Sequence, residues 1–361
     1  MGYTKEELRL IWLDSFINLE YKHKKFLYGA FSRGETVSGF LKKRKDEIVS
    51  ATGDGQYASL CNSANKEYTD FVVNGLERNG VKAVTIDSEE YPELLKNTDI
   101  PPLVLYAKGD TSLLKSETFS IVGSRKNVPV SLATAKTFTE KLCAAGYTVV
   151  TGIAEGVDAT VLETAISCGG RAISVVAGGL NNVYPAQNRA LFERVIENGL
   201  AISEQPPEVK PMPYMFPVRN RIISGLSKGM LLVSGGLKSG TVYTVETALL
   251  CGRDVFAVPY GVGVESGAYC NKIIKDGAML ADCPEDILSY YGKETEDTAD
   301  REYTDKERAV IGALKDGSLH IDKICEKTGV SVADAMRILT VLEIEGKIYK
   351  AGNNVYGRFS R

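Results

Sequence analysis

Histidine is nearly missing from this chain of 361 residues; His23 and His320 are the only two. They stand near opposite ends, so the central region has no Ser-His-Asp or Cys-His arrangement unless a terminal segment donates the base. A histidine-based metal cluster is excluded on the same ground. The seven cysteines, Cys61, Cys143, Cys168, Cys251, Cys270, Cys283 and Cys325, are odd in number and never form a C-x-x-C pair. That pattern predicts neither a disulfide framework nor a zinc site, and it fits a reducing cytoplasm. No run approaches about 18 uninterrupted apolar residues, which predicts no membrane span. Met1 to Glu7 is polar, which predicts no secretory signal, and Glu6 stands where myristoylation wants Ser or Thr. A net charge of −3 excludes a protein coated everywhere in basic charge and leaves a local basic patch open.

What is present is an ordinary globular composition, 44% hydrophobic and 25% charged. At about 150 residues per domain the length predicts two or three domains. Residues 1–85 read as a small helical, SAM-like domain. In it Leu8, Ile11, Trp12 and Phe16 recur at helical spacing, as do Phe26, Leu27 and Phe31. The Lys42-Lys43-Arg44-Lys45 run reads as a solvated helix face, and Ser50 to Gly55 as a turn. A helix from about Lys66 to Asn79 ends at Gly80.

From 86 to 292 short β-rich runs alternate with helical segments. The runs are Leu103–Ala107, Phe119–Val122, Tyr147–Thr151, Ala172–Val176, Ala201–Ser203, Met230–Val233 and Val255–Val258. Strands alternating with helices predict an α/β, Rossmann-like parallel sheet covered on both faces. Ligands of such sheets sit at the carboxyl ends of the strands, near a switch point. Residues 293–302 are polar and charged and read as a linker. From 303 to 361, three helices and a two-stranded hairpin predict a C-terminal winged helix.

The turns that follow the strands carry the chemistry. Gly123-Ser124-Arg125 lets backbone approach an anion, and its arginine can grip a phosphate bidentately. Gly152 opens a second turn, in which Asp158 reads as a helix N-cap. Ala177 to Leu180 form a glycine loop followed by Tyr184-Pro185 and Asn188-Arg189. Phe216, Arg219, Asn220 and Arg221 place charge and a stacking ring on one helix, the pair of features that phosphate and an unstacked base want. Lys238, Ser239, Gly240 and Thr241, after Ser234-Gly235-Gly236-Leu237, have the composition of a phosphate cradle. The Walker A spacing fails and no G-x-G-x-x-G is present, so dinucleotide binding is disfavoured and no cofactor is expected. Asp158 and Glu246 are possible acid–base groups, and the simpler role for each is a helix-terminal charge. An anionic ligand explains these turns together; nucleotide, polynucleotide and sugar phosphate all remain open.

In order, YPELL at 91–95, PPLVLYAKGD at 101–110, IVGSR at 121–125, TGIAEGVD at 151–158 and GGLNNVYPAQN at 178–188 make a recognisable series. SEQP at 203–206, FPVRNRIISGLS at 216–227, SGTVYT at 239–244 and GRDVFAVP at 252–259 complete it. The chain resembles the DNA-processing protein A family (DprA, also called Smf) over nearly its full length. The resemblance implies a non-enzymatic mediator that binds single-stranded DNA in a basic pocket. It would protect incoming strands, form a homodimer and load the RecA recombinase during natural transformation. Arg125, Phe216 and Arg219 to Arg221 would carry the contacts. The chain departs from the family pattern at Val130-Ser131, Leu162, Ser234 and Tyr260.

Two other functions are open. A nucleotide phosphoribohydrolase-like role would use Gly235-Gly236, Gly240-Thr241 and Glu246. A transcriptional regulator would use the winged helix. Its third helix, Ser331 to Glu345, carries Asp334, Glu343 and Glu345 against Arg337, a poor match for a duplex groove.

Overall fold

The computed structural model describes residues 2–31, 35–126, 128–293, 303–315, 317–344 and 347–358. It divides into two compact units, Met1–Thr295 and Glu296–Arg361.

The first unit opens with six helices: α1 (Lys5–Asp14), α2 (Tyr21–Ala30), α3 (Val37–Lys43), α4 (Lys45–Thr52), α5 (Asp54–Asn62) and α6 (Lys66–Arg78). Thr4 and Glu7 start α1 with a reciprocal capping box. Leu10, Ile11, Trp12 and Leu13 are consecutive and all buried, so the last turn of α1 is enclosed on every side, while Lys5 and Glu6 in its first turn are exposed. The Trp12 indole donates to the Ser63 carbonyl at 2.8 Å, which satisfies its one polar atom. Between α4 and α5 the expected turn narrows to Gly53, at φ +86°.

The sheet has nine strands: β1 (Lys82–Thr85), β2 (Val104–Gly109), β3 (Thr118–Val122), β4 (Thr148–Thr151), β5 (Arg171–Val175), β6 (Leu200–Ser203), β7 (Gly229–Leu232), β8 (Asp254–Ala257) and β9 (Met279–Leu280). Their order is β1-β2-β6-β5-β4-β3-β7-β8-β9. From β6 through β9 all pairings are parallel, and β1 and β2 add an antiparallel edge. Two corrections follow. Lys82–Thr85, assigned above to the helical domain, is an edge strand of the sheet. Lys293, assigned to the linker, ties back to the core through Glu117 at 2.6 Å and the Ala145 carbonyl at 3.0 Å. Residues 294–302 lie outside the described residues.

The crossover helices are α8 (Pro129–Ala144), α9 (Val157–Ser167), α10 (Arg189–Asn198), α11 (Met215–Leu226), α12 (Thr241–Leu250) and α13 (Ala268–Lys275); α7 (Glu93–Lys96) is a single turn before β2 and α14 (Pro284–Tyr290) follows β9. β3, β4, β6 and β7 are buried at every position, as strands covered on both faces must be. β3 is flanked by β4 on one side and β7 on the other, so the sheet reverses its winding there. The crevice of the α/β fold opens at that point.

The second unit has α15 (Asp305–Ala313), β10 (Leu319–His320), α16 (Ile321–Thr328), α17 (Val332–Ile344), β11 (Ile348–Gly352) and β12 (Val355–Arg358). Its core joins Val310, Ile324, Leu339 and Leu342, and its hairpin turns through Asn354 at φ 57°. This is the expected winged helix. Asp334 faces Lys306 at 2.8 Å and Arg337 at 3.8 Å, and Val332 and Met336 are exposed on the same helix.

Candidate nucleic-acid interface

A cleft of about 1320 Å³ opens over the carboxyl ends of β3 and β7. Buried hydroxyls on β3 place its main wall. Thr118 Oγ1 donates to the Leu226 carbonyl at 2.6 Å and Ser120 Oγ to the Ile223 carbonyl at 2.8 Å, clamping the last turns of α11 to the sheet. Ser224 Oγ donates to the Thr244 carbonyl at 2.8 Å and locks α11 to α12. With α11 fixed, Phe216, Arg219, Asn220 and Ile223 fall on one helical face and line the cleft.

Opposite them the β3 turn supplies Gly123, Ser124, Arg125 and Lys126. Gly156, at φ +84°, leaves space for this turn; a Cβ there would lie 2.6 Å from the Ser124 carbonyl oxygen. The Ser124 amide donates to Ser234 Oγ at 3.1 Å, which bridges the two turns across the switch point. Ser124 Oγ accepts from the Lys126 amide at 3.1 Å, so the hydroxyl shapes the turn. Arg125 is exposed, and its guanidinium carbon lies 5.6 Å from the Phe216 ring centroid. Tyr184 meets the same ring edge-on at 5.8 Å and 73°. Among the described residues no carboxylate pairs with Arg125, Lys126 or Lys238, whereas Glu265 is an acidic group on the lining. Helices α8, α9, α11 and α12 begin without a side-chain cap hydrogen bond, but backbone and side-chain oxygens take several of their first amides, among them Met215 and Phe216 of α11 and Thr241 and Val242 of α12.

Arg219 forms the floor. It is 7% exposed, donates to the Val175 carbonyl, and reaches Asn220 Oδ1 at 3.1 Å through Nε. Burial lowers its pKa to about 10 against the opposing pull of Asp158, so it stays charged at neutral pH. Asp158 is held above the usual carboxylate range by burial, opposed by Arg219 and by the Ala154 amide. It sits inside the first turn of α9 and accepts from that amide at 3.2 Å; Gly156 holds the N-cap position expected of it.

Other expected residues have different positions from those the sequence suggested. Gly152 does not line the cleft: a Cβ there would collide with Asp158 Oδ2 and lie 3.1 Å from the Arg219 guanidinium, so its bareness makes room for that pair. Arg221 lies outside the cleft, paired with Glu204 and donating to the Ile100 carbonyl at 2.6 Å. Residues two apart on a helix point about 200° apart, so Arg219 and Arg221 do not share a wall. Lys238, Ser239, Gly240 and Thr241 do line the cleft. The loop spends several amides on itself, however: Gly235 donates to Ser266, Ser239 to Gly236 and Thr241 to Ser239 Oγ. The Gly178-Gly179 turn packs against Pro206 to Pro211, which leaves no side-chain space there. Glu246 is exposed and absent from the lining, which separates it from the acid–base role considered for it.

Several contributors were named above without a site role or passed over, chiefly Tyr184, Lys126, Leu237 and Tyr243. Tyr260 is another. Its hydroxyl donates to the Val233 carbonyl at 2.9 Å and meets Ser131 Oγ at 2.9 Å, joining the start of α8 to the β7 turn. Two of the departures from the family pattern are therefore partners.

Sheet order and the switch-point cleft define a Rossmann-like α/β protein whose cleft lining holds both cations and aromatic rings. The family model of DNA recombination-mediator protein A matches residues 82–292, and that of the DprA winged helix domain matches 294–352. The chain belongs to the DNA recombination-mediator protein A family. It is 38% identical over 218 residues to DNA processing protein DprA of Bacillus subtilis, covering 60% of this chain and 73% of that one. With protein Smf of Escherichia coli the identity is 34% over 291 residues, covering 76% of each chain. The X-ray structure of DNA processing protein A from Streptococcus pneumoniae superposes with a TM-score of 0.58 at 26% identity, covering 75% of this chain and 98% of that chain. A structure of the Helicobacter pylori protein, described for its single-stranded DNA binding mode, gives a TM-score of 0.53 at 26% identity, covering 58% and 95%. No helix among the described residues is long and apolar enough to cross a membrane.

Proposed function

We propose that the switch-point cleft holds single-stranded DNA and that the chain is a recombination mediator. It protects an unpaired strand and delivers it to a RecA-type recombinase, acting as a homodimer. The observation that carries this reading is Arg125 set 5.6 Å from the Phe216 ring at the mouth of the cleft, with Tyr184 edge-on to the same ring. A guanidinium free to take a phosphate, beside rings free to take a base, suits a strand whose bases are unstacked. A duplex hides those faces. The Helicobacter pylori relative supports the choice of ligand.

Anisotropy of a labelled oligonucleotide, challenged with unlabelled single strand or duplex, tests the binding step. Displacement by single strand alone is expected, and equal displacement by duplex would contradict it. Faster recombinase filament formation on a coated strand in the presence of the protein tests delivery.

A further inference from the structure

Two parts of the cleft lining each carry a cation and a ring, although they come from unrelated segments. On one, Arg125 lies beside Phe216. On the other, Lys238 belongs to the loop that leads into α12, and Tyr243 stands in the first turn of that helix; both line the cleft. Tyr243 is 56% exposed and its neighbour on the loop, Leu237, is 60% exposed. Packing does not require either ring or chain there. The buried face of α12 is Thr241, Thr244, Val245 and Ala248. Phe216 already has Tyr184 against it, whereas Tyr243 has no aromatic partner among the described residues. An exposed ring and an unpaired cation on the lining of one cleft match the chemistry of a nucleobase and its phosphate.

We propose that Tyr243 is a second base-stacking platform. One base seats on Tyr243 with its phosphate toward Lys238, while another base of the same strand seats on Phe216 with its phosphate toward Arg125. This rests on the reading of the cleft as a single-strand site and adds the path across it. Because every base has a π face, the second platform adds affinity without sequence preference. Leu250 continues the same side of α12 beyond the cleft and is also exposed, so a protein partner or a second copy is the competing occupant.

The test uses the full chain and an oligothymidylate. Tyr243→Ala is expected to weaken binding about tenfold and Tyr243→Phe to leave it within about twofold, as loss and retention of one stacked base predict. The losses in Phe216→Ala and Tyr243→Ala are expected to multiply in the double variant, since the two rings hold different bases. In Tyr243→Trp the new indole should be quenched along the binding curve; the native Trp12 is buried within the N-terminal helices. Unchanged affinity in Tyr243→Ala, less than multiplicative losses, or an unquenched indole while anisotropy reports binding would overturn the proposal. So would a loss of affinity that follows a change in association state by sedimentation. If the wild-type chain gave no anisotropy change with the oligonucleotide, the reading of the cleft itself would fail first.

Discussion

Arg221 and Glu204 form an ion pair behind the cleft, with both side chains largely buried, at 14% and 16% exposure. Tyr21 of α2 lies against this pair, its ring centroid 6.0 Å from the guanidinium carbon, so the pair joins the N-terminal helices to α11. Removing one member strands the other in a poorly solvated place. Arg221→Ala is expected to cost about 2–4 kcal/mol in urea unfolding. Its single-strand affinity per folded molecule should stay near wild type. Arg125→Ala is expected to do the reverse, keeping stability because the side chain is exposed and losing affinity. A variant pair with these effects exchanged would contradict the placement of the two arginines.

Tyr260 and Gly267 are matched in shape. A Cβ at Gly267 would overlap the Tyr260 ring, so Gly267→Ala should destabilise the chain by about 1–3 kcal/mol through overpacking. In a Tyr260→Gly background the same substitution should cost much less. Tyr260→Phe keeps the ring and removes only the bonds to Val233 and Ser131, so about 1 kcal/mol is expected. A thermal-denaturation cycle over the four combinations checks this; additive costs would sink the idea.

Asp158 and Glu204 both have carboxyls held above the usual range, because burial outweighs the attraction of Arg219 and Arg221. The sign follows from proton counting. Between the unfolded value, about 4, and the raised folded value, the folded chain holds more protons. Stability from these groups is therefore greatest on the acid side and declines as pH rises through that window. Asp158→Asn removes one such contribution. The stability advantage of wild type over Asp158→Asn should be larger at about pH 4.5 than at about pH 7 in urea titrations, and an advantage that grew with pH would contradict the assignment.

Gly152→Ala should act on fold and binding together. The added methyl group enters the space of the Asp158–Arg219 pair. Displacing that pair disturbs the floor of the cleft, so lower melting temperature and weaker single-strand binding should appear in one variant. An unchanged melting temperature would show that the floor tolerates the methyl.

Much of the fold was legible because the parallel strands are short apolar runs between turn residues. Runs such as Phe119–Val122 and Met230–Val233 sit within a residue of β3 and β7. β1 and β9 were not legible: Met279–Leu280 is only two residues long, and Lys82–Thr85, as long as β7, is an edge strand whose pairing is decided by tertiary contacts. At the site, the cleft-facing residues on α11 follow helical spacing from Phe216 to Ile223, and the same spacing turns Arg221 away. Composition placed two arginines together where helix geometry separates them. The roles of Gly152 and Gly156 depend on which atoms approach them across the fold, which no local pattern records.

The most direct test is the salt dependence of single-strand affinity in wild type and in Arg125→Ala. If Arg125 neutralises a phosphate, the slope of log K against log salt should be shallower by about 0.7 in the variant, and affinity at low salt should drop by more than tenfold. Equal slopes with undiminished affinity would mean that the strand binds somewhere other than the switch-point cleft.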